Sequence, residues 1–304
     1  MLEFQTTQVS AFKTSMEVID SLISDTNLEV SASGIRIRET NRTSKLFVSV
    51  FFPADNFDTY NFSSSDTEFN VGIDIGNIVQ LLKLNLHYDV LKFSLGDTTG
   101  DFKEPSIATI TLESFKRKEK KKLKLNLLKA CPNTCGTIED TTYNHLVVLS
   151  SDLFSKYCKD ISKVSDRVNL RLNRKEFIIS GSGSKGDGMR SLPSTSGPSD
   201  VEYVISGSSN NNITITTDIT TKDYSEANLV VKFLLLVSKC SSISELVTIF
   251  VGGGDGMRRR NDEVLSSTYG SLPSTSGTSS VTPCTYTTLR YNLGSLGILN
   301  LVLF

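Results

Sequence analysis

Few side chains in this sequence have the type and spacing that catalysis or metal binding would need. The 304 residues include two histidines, His87 and His145, and no tryptophan. Cys131 and Cys135 stand four positions apart, but no second Cys/His pair follows at the spacing of a zinc site. The sequence contains neither a nucleophile elbow nor a paired-carboxylate pattern. We therefore expect no enzymatic activity, no metal site and no cofactor.

Gly181–Gly186 (GSGSKG) comes closest to a cofactor-binding motif, because it fits the G-x-G-x-x-G pattern of dinucleotide-binding loops. Such a loop requires a following helix whose N-terminus faces the phosphates. The residues that follow, DGMRSLPSTSG, favour a turn instead. A glycine-rich turn is therefore the preferred interpretation. A nucleotide-binding enzyme that uses this loop is the alternative from another functional class.

Positive charge is the remaining feature of the sequence that could bind a ligand, and it is concentrated in a few segments. Lys and Arg number 32 against 33 Asp and Glu, which gives a net charge of −1. A protein that bound nucleic acid through its bulk charge would be far more basic. The run Lys116–Lys122 is typical of a solvated loop or strand edge, and a nuclear-import or nucleic-acid patch is the other interpretation.

Four segments have the apolar period of an amphipathic helix, and each carries lysine on its polar side. The predicted helices span residues 10–24, 76–84, 151–163 and 226–239. Their lysines are Lys13, Lys83, Lys156, Lys159, Lys163, Lys232 and Lys239. Because the same placement recurs on all four helices, we expect one shared, weakly positive surface that binds without sequence specificity.

Short segments rich in Val, Ile, Phe and Thr follow each helix and read as strands. They are predicted at residues 28–37, 46–52, 90–95, 107–112, 123–127, 167–172, 177–180, 213–217 and 246–251. The sequence repeats a unit of one helix and several antiparallel strands four times. This repeat predicts an α+β fold. The fold would consist of two similar halves with the helices on one face of the sheets.

Changes in composition and the positions of turn-forming residues predict two domains, at residues 1–127 and 143–304, with a connector at 128–142. Residues 253–282, rich in Gly and Ser, read as a surface insertion. No run of about 18 apolar residues or signal-peptide pattern is present, so neither membrane insertion nor secretion is expected. Five scattered cysteines favour reduced thiols in a cytosolic or nuclear compartment.

Five stretches, collinear along the chain, carry a family resemblance. They are SAFKTSMEVIDSLISDTNLEVSASGI, FDTY, VGIDIGNIVQLLK, YNHLVVLSSDLFSKYCKDIS and KFLLLVSKCSSISELVTI. Together they resemble the proliferating cell nuclear antigen family, the DNA sliding clamps, from residue 1 to about 251 and again from about 283 to 302. The divergence suggests a large DNA virus or a distant eukaryote as the source.

The resemblance implies a homotrimeric ring that encircles duplex DNA as a polymerase processivity factor. Geometry permits such a ring: twelve helices of about 10 Å diameter would leave a central hole of about 28 Å. The duplex would be retained by linkage, so weak lysine–phosphate contacts would suffice and the clamp could slide. A non-ring accessory factor, or a subunit of a heterotrimeric checkpoint-type clamp, is the alternative in the same class.

The resemblance also implies two sets of site residues. The helix lysines would face the DNA, Lys163 being included for its position beside Lys156 and Lys159. Thr14, Asp20 and Gln80 stand where the family carries lysine, so DNA contact should be weaker than is usual in the family. A groove for a short hydrophobic-aromatic partner peptide would be formed by Thr40, Ser44, Phe47, Ile138, Pro283, Leu299 and Leu301.

The expected partners follow from the same resemblance. They are double-stranded DNA of any sequence, DNA polymerase, other proteins with a clamp-interacting peptide, and a clamp loader that opens the ring. Subunits would join through edge strands at about residues 120–127 and 188–194. The expected location is the nucleus, or a cytoplasmic replication site for a viral protein, with no membrane association.

Overall fold

The structure is a computed structural model, and it describes residues 1–41, 46–64, 66–83, 88–95, 106–130, 143–173, 175–183, 200–206, 214–217, 224–253 and 286–303. The elements of the first half are β1 (Leu2–Thr6), α1 (Val9–Leu22), β2 (Asp25–Ser31), β3 (Gly34–Thr40), β4 (Leu46–Pro53), β5 (Thr59–Phe62), β6 (Glu68–Asp74), α2 (Ile75–Lys83), β7 (Val90–Leu95), β8 (Ile107–Ser114) and β9 (Glu119–Asn126). Those of the second half are β10 (Tyr143–Ser150), α3 (Ser151–Ile161), β11 (Arg167–Asn173), β12 (Glu176–Ser182), β13 (Asp200–Ser206), β14 (Thr214–Thr217), β15 (Tyr224–Val230), α4 (Val231–Val237), β16 (Leu246–Gly253), β17 (Tyr286–Asn292) and β18 (Ile298–Leu303). A 3-10 segment at Ser238–Ser242 directly follows α4.

The two halves repeat one topology. Each has a strand, a helix, five strands, a second helix and three strands, in that order, among its described elements. All pairs of neighbouring strands are antiparallel. The prediction of an α+β protein built from two similar halves is therefore confirmed, and it rests on connectivity as well as on the apolar patterns.

A single sheet joins the halves. The described strands form a five-stranded sheet, β5-β1-β7-β8-β9, and a four-stranded sheet, β13-β12-β11-β15. A nine-stranded sheet, β14-β10-β16-β17-β18-β4-β3-β2-β6, includes strands of both halves. The two halves meet where β18 pairs with β4, from Ile298 opposite Phe51 to Leu303 opposite Leu46. We call this pairing the internal joint.

The core of the first half lies between two sheets and is closed on one side by the helices. Helix α1 buries Phe12, Met16 and Ile19 because these side chains recur at helical spacing on one face. From β1, Phe4 stacks against Phe93 of β7 with ring centres 5.1 Å apart. This apolar packing fixes the helices against the sheets, so their polar sides are left facing solvent.

The structure corrects two predicted elements. The segment 28–37 is a hairpin rather than one strand, because the chain turns at residues 32–33 and β3 begins at Gly34 (φ 141°). Glycine is also required there by packing, since a Cβ would lie 2.2 Å from the carbonyl oxygen of Phe52 in β4. The fourth helix begins at Val231, and the predicted start at Glu226 lies in β15. There, Ser225, Ala227 and Leu229 are buried between exposed residues, which is the alternation of a strand.

Candidate nucleic-acid interface

The four helices form one layer. Helix α1 packs against α2 on one side and against α4 and the 3-10 segment on the other. Helix α3 in turn packs against α4 and the 3-10 segment, so the order across the layer is α2, α1, α4, α3. The apolar sides of the helices contribute to the core, and their polar sides form a shared solvent-facing surface, which we call the helix layer surface.

Two predicted lysines of the first half share one carboxylate on this surface. The Nζ atoms of Lys13 and Lys83 each lie 3.9 Å from Oε1 of Glu17. Lys13 and Glu17 are one turn apart on α1, whereas Lys83 reaches the same oxygen from the last turn of α2. The group carries two positive charges and one negative charge, so it has one unit of positive charge in excess.

The three predicted lysines of α3 lie together. Lys156, Lys159 and Lys163 line one surface hollow of about 560 Å³, together with Asp152 and Asp160. The Nζ of Lys163 lies 2.9 Å from Oδ1 of Asp160. No carboxylate in the described part of the chain lies within ion-pair distance of Lys156 or Lys159. With three lysines and two aspartates, the hollow has an excess of one positive charge.

Asp160 is held ionised by its neighbours. The hydrogen bond from Lys163 lowers the pKa of its carboxyl group most, and the Tyr203 hydroxyl, which donates to Oδ2 at 3.0 Å, lowers it further. Burial opposes both effects, and the charge of Lys156 makes a smaller lowering contribution. Asp160 thus reduces the positive charge of this part of the helix layer surface at neutral pH.

Lys232 and Lys239 are exposed at the two ends of the fourth helical region. Lys232 is in the first turn of α4, and Lys239 is in the 3-10 segment that follows. Both elements contact α1. The structure thus brings the lysines of both halves onto adjacent helices, although the helix that carries Lys232 is shorter than the sequence predicted.

The predicted peptide groove is only partly supported by the positions of its residues. Phe47 packs with Tyr286 and Val302 in a small cluster on the outer side of the nine-stranded sheet, apart from the main core, and all three side chains are buried. Phe47 lies directly opposite Val302 in the internal joint and opposite Thr40 in the β3–β4 pair. These contacts place Thr40 and Phe47 on the same face of the sheet.

Leu299 and Leu301 lie on the other face of the sheet. Both are fully buried in the main core, on the side of the sheet opposite Phe47. Successive strand residues point to opposite faces, so Ile298, Asn300 and Val302 take the outer positions of β18. Side chains along ILNLVL alternate between the two faces of the sheet, and Asn300 is the one polar residue among them. The sequence could therefore have placed Val302 on the outer face, together with Asn300. Ser44, Ile138 and Pro283 lie outside the described residues.

Glycine at position 181 has a packing explanation. Gly181 and Ser182 belong to β12, where Gly181 pairs with Val201 of β13. A Cβ at Gly181 would lie 2.3 Å from Cγ2 of Ile161 at the end of α3, so glycine allows the helix to approach the sheet. Residues 184–186 of the motif lie outside the described residues.

The described residues provide neither a metal site nor a reactive thiol. In the described ranges, no three His, Cys, Asp or Glu side chains lie close enough to hold a metal ion. Cys158 and Cys240 are buried free thiols, and burial raises the pKa of each to about 12. Neither is thus a ready nucleophile at neutral pH. None of the described helices is both long and apolar enough to span a membrane.

A duplicated α+β topology, with every described α-helix in one lysine-bearing layer, is consistent with the fold of a DNA clamp subunit. Family models described as the N-terminal and C-terminal domains of proliferating cell nuclear antigen match residues 1–130 and 137–254. The chain belongs to the proliferating cell nuclear antigen family.

Two relatives have low sequence identity to this chain, but the similarity covers most of each protein. The proliferating cell nuclear antigen of Dictyostelium discoideum is 24% identical over 254 residues, which is 84% of this chain and 91% of the relative. That of Chaetomium thermophilum is 23% identical over 192 residues, which is 63% of this chain and 70% of the relative. The similarity therefore extends over most of both halves rather than one motif.

Proposed function

We propose that this chain is one subunit of a DNA sliding clamp that encircles duplex DNA and acts as a processivity factor in replication and repair. Residues 1–127 and 143–304 would be its two clamp domains, joined by the connector at 128–142. The observation that carries the proposal is the repeat of one topology with all four helices in one layer. A ring of such subunits holds DNA by closure, so it needs no catalytic chemistry of its own.

The repeat also supports a specific way of closing the ring. Within the repeat, β9 is the counterpart of β18, and β13 is the counterpart of β4. In the described sheets β9 and β13 are both terminal strands, whereas β18 and β4 pair with each other. Pairing β9 of one subunit with β13 of the next would reproduce the internal joint. A head-to-tail contact of this kind generates a closed ring when its rotation fits, and the family favours a homotrimer.

Charge on the two terminal strands supports the same contact. Strand β9 exposes Lys120, Lys122 and Lys124 on one face. Strand β13 exposes Asp200 and Glu202. These opposite charges would lie next to each other across the subunit boundary, where opposite-charge pairs between strands are favourable. The edge predicted at 188–194 lies outside the described residues, and β13 replaces it in this proposal.

DNA contact would come from the helix layer surface. Lys156, Lys159, Lys232 and Lys239 are exposed there, and lysine–phosphate contacts carry no sequence information. Lys13, Lys83 and Lys163 would contribute less, because each shares its charge with a carboxylate. The clamp would therefore hold DNA weakly at each point and keep it by encirclement.

Partner proteins would dock on the outer side of the nine-stranded sheet, beside Phe47, Tyr286 and Val302. The proposed partners are DNA polymerase, other proteins with a hydrophobic-aromatic clamp-interacting peptide, and a clamp loader. Because duplex DNA and these partners are replication components, the proposed location is the nucleus.

The subunit arrangement can be tested by size-exclusion chromatography with light scattering. Three chains of 33.4 kDa give a mass of about 100 kDa, which is the expected result at micromolar concentration. A mass of one chain at that concentration would count against the homotrimer. It would favour a heterotrimeric or non-ring clamp subunit instead.

A further inference from the structure

Two arginines on the outer side of the nine-stranded sheet are held on aromatic rings. The guanidinium carbon of Arg36 in β3 lies 5.0 Å from the ring centre of Phe51. That of Arg290 in β17 lies 5.0 Å from the ring centre of Phe250. Arg290 also donates from Nε to Oδ1 of Asn300 at 2.8 Å. Both arginines are exposed, and stacking on a ring favours a fixed position for each guanidinium.

Neither arginine has a carboxylate partner in the part of the chain that the structure describes. Glu29 lies directly opposite Arg36 in the β2–β3 pair, but its two oxygens accept from Nε of Arg38 at 3.0 Å each. A third contact, from Nη2 of Arg38 to Oε2 of Glu29 at 2.7 Å, completes the pair. Arg38 is thus neutralised, whereas the charges of Arg36 and Arg290 remain available for a ligand.

An exposed apolar residue lies between the two arginines. In strand order, Ile298 of β18 is opposite Asn292 of β17 on one side and Phe51 of β4 on the other, and Phe51 is opposite Arg36. Ile298 is 37% exposed, although it is a large hydrophobic residue. Three strand spacings of about 4.8 Å separate β17 from β3, so about four or five extended residues would span the two arginines.

This strip is continuous with the proposed docking surface. Val302 is four residues beyond Ile298 on the same face of β18, and it packs with Phe47 and Tyr286. At about 3.4 Å per residue, the separation along the strand is about 14 Å. A peptide bound beside the buried Phe47 cluster could therefore extend over Ile298 and the arginines without leaving the sheet.

We propose that Arg36 and Arg290 select partner peptides that carry Asp or Glu beside their hydrophobic-aromatic anchor. This inference rests on the proposed function, because it adds a charge preference to the same docking surface. Guanidinium groups bind carboxylates through paired N–H donors, and pre-positioning on Phe51 and Phe250 lowers the entropy lost on binding. A single isoleucine between two separated cations suits an amphipathic peptide better than the evenly spaced phosphates of a nucleic acid.

The test uses three fluorescent synthetic peptides of one length with the same central aromatic pair. Two Glu, two Gln or two Lys flank the pair on each side. Affinities for the full-length chain are measured by fluorescence anisotropy at low and at physiological salt. The variants are Arg36→Gln, Arg290→Gln and the double variant, with Lys175→Gln as a control that removes one exposed charge between β11 and β12, outside the nine-stranded sheet.

The wild type should bind the Glu peptide roughly tenfold more tightly than the Gln peptide, and the Lys peptide most weakly. Each single arginine variant should lose about threefold for the Glu peptide only, and added salt should reduce the preference. The control should behave as the wild type.

Equal affinity of the wild type for the Glu and Gln peptides would overturn the inference but leave the docking surface standing. Failure of all three peptides to bind would count against peptide docking itself, and with it the inference. A labelled single-stranded oligonucleotide is measured in parallel. Loss of oligonucleotide binding in the arginine variants, with unchanged peptide binding, would assign the strip to nucleic acid and overturn the inference.

Discussion

At the scale of single residues, the lysines of the helix layer surface differ in how much of their charge is available. Lys163 pairs with Asp160, and Lys13 and Lys83 share Glu17. Lys156 and Lys159 stand in the same hollow as Lys163 but without such a pair in the described part of the chain. Position on the polar side of a helix is therefore not sufficient to rank these residues as DNA contacts.

Replacing both Lys156 and Lys159 with Gln should weaken DNA binding more than replacing Lys163 with Gln. Each lost phosphate contact lowers the magnitude of the slope of log K against log salt by about 0.9, so the double variant should lose about 2. The measurement is fluorescence anisotropy with a short duplex over a range of salt concentrations. An unchanged slope in the double variant would remove these two lysines from the interface.

The sequence predicted the polar placement of every helix lysine but not their pairing. Lys83 and Glu17 are on different helices, so their contact depends on how α2 packs against α1. The groove residues show a different limit. Leu299 and Leu301 were chosen by resemblance, whereas the alternation of β18 puts Val302 on the outer face and both leucines in the core.

At the scale of elements, close packing explains residues that a motif alone would assign to a ligand. Gly181 fits a phosphate-loop pattern, yet it lies where Ile161 of α3 meets β12. The contact joins the end of the first helix of the second half to its sheet. Sequence spacing could not reveal this contact, because the two residues meet only after the helix has packed.

Gly181→Ala should destabilise the protein by about 1–3 kcal/mol, because the new Cβ would overlap Cγ2 of Ile161. Ser182→Ala, at the exposed neighbouring position, is the matched control and should change the free energy of unfolding little. Urea denaturation followed by circular dichroism measures both. The nucleotide-loop alternative makes the opposite prediction: unchanged stability, with loss of an ATP- or NAD-induced thermal shift seen in the wild type.

The fourth helix shows why element boundaries were less predictable than element types. Leu229, Val230 and Phe233 fit a helical face, so the sequence favoured one long helix from Glu226. Pairing of β15 with β11 along its whole length overrides that preference. Strand pairing is a non-local contact, and a local apolar period does not contain it.

At the scale of the whole molecule, the repeat makes the internal joint a template for the contact between subunits. The internal joint pairs mainly apolar residues, including Leu299 with Val50 and Leu301 with Val48. The proposed joint between subunits pairs the lysines of β9 with the acids of β13 instead. The internal joint would then be insensitive to salt, whereas the contact between subunits would be weakened by salt.

Reversing the charges of one edge should dissociate the ring. We expect Asp200→Lys combined with Glu202→Lys to raise the concentration needed for assembly roughly tenfold or more. Adding Lys122→Glu and Lys124→Glu to the same chain should restore assembly, because the pairs are re-formed with opposite signs. The measurement is light scattering across a dilution series.

Asp55→Lys combined with Asp58→Lys is the control for charge change, since both acids are exposed and lie outside β9 and β13. The control should assemble as the wild type does. Failure of the four-fold variant to recover, with the control intact, would contradict the proposed pairing of these strands.

Encirclement itself can be measured by threading. The protein is mixed with a linear duplex, both ends are then blocked with streptavidin, and a large excess of unlabelled duplex is added at low salt to capture protein that is bound only by electrostatic contact. A clamp that encircles the duplex should stay on the blocked DNA and should be released when a nuclease cuts the duplex between the blocks. Loss of the protein to the unlabelled duplex while both ends are blocked, or retention after the cut, would contradict a clamp that holds DNA by closing around it.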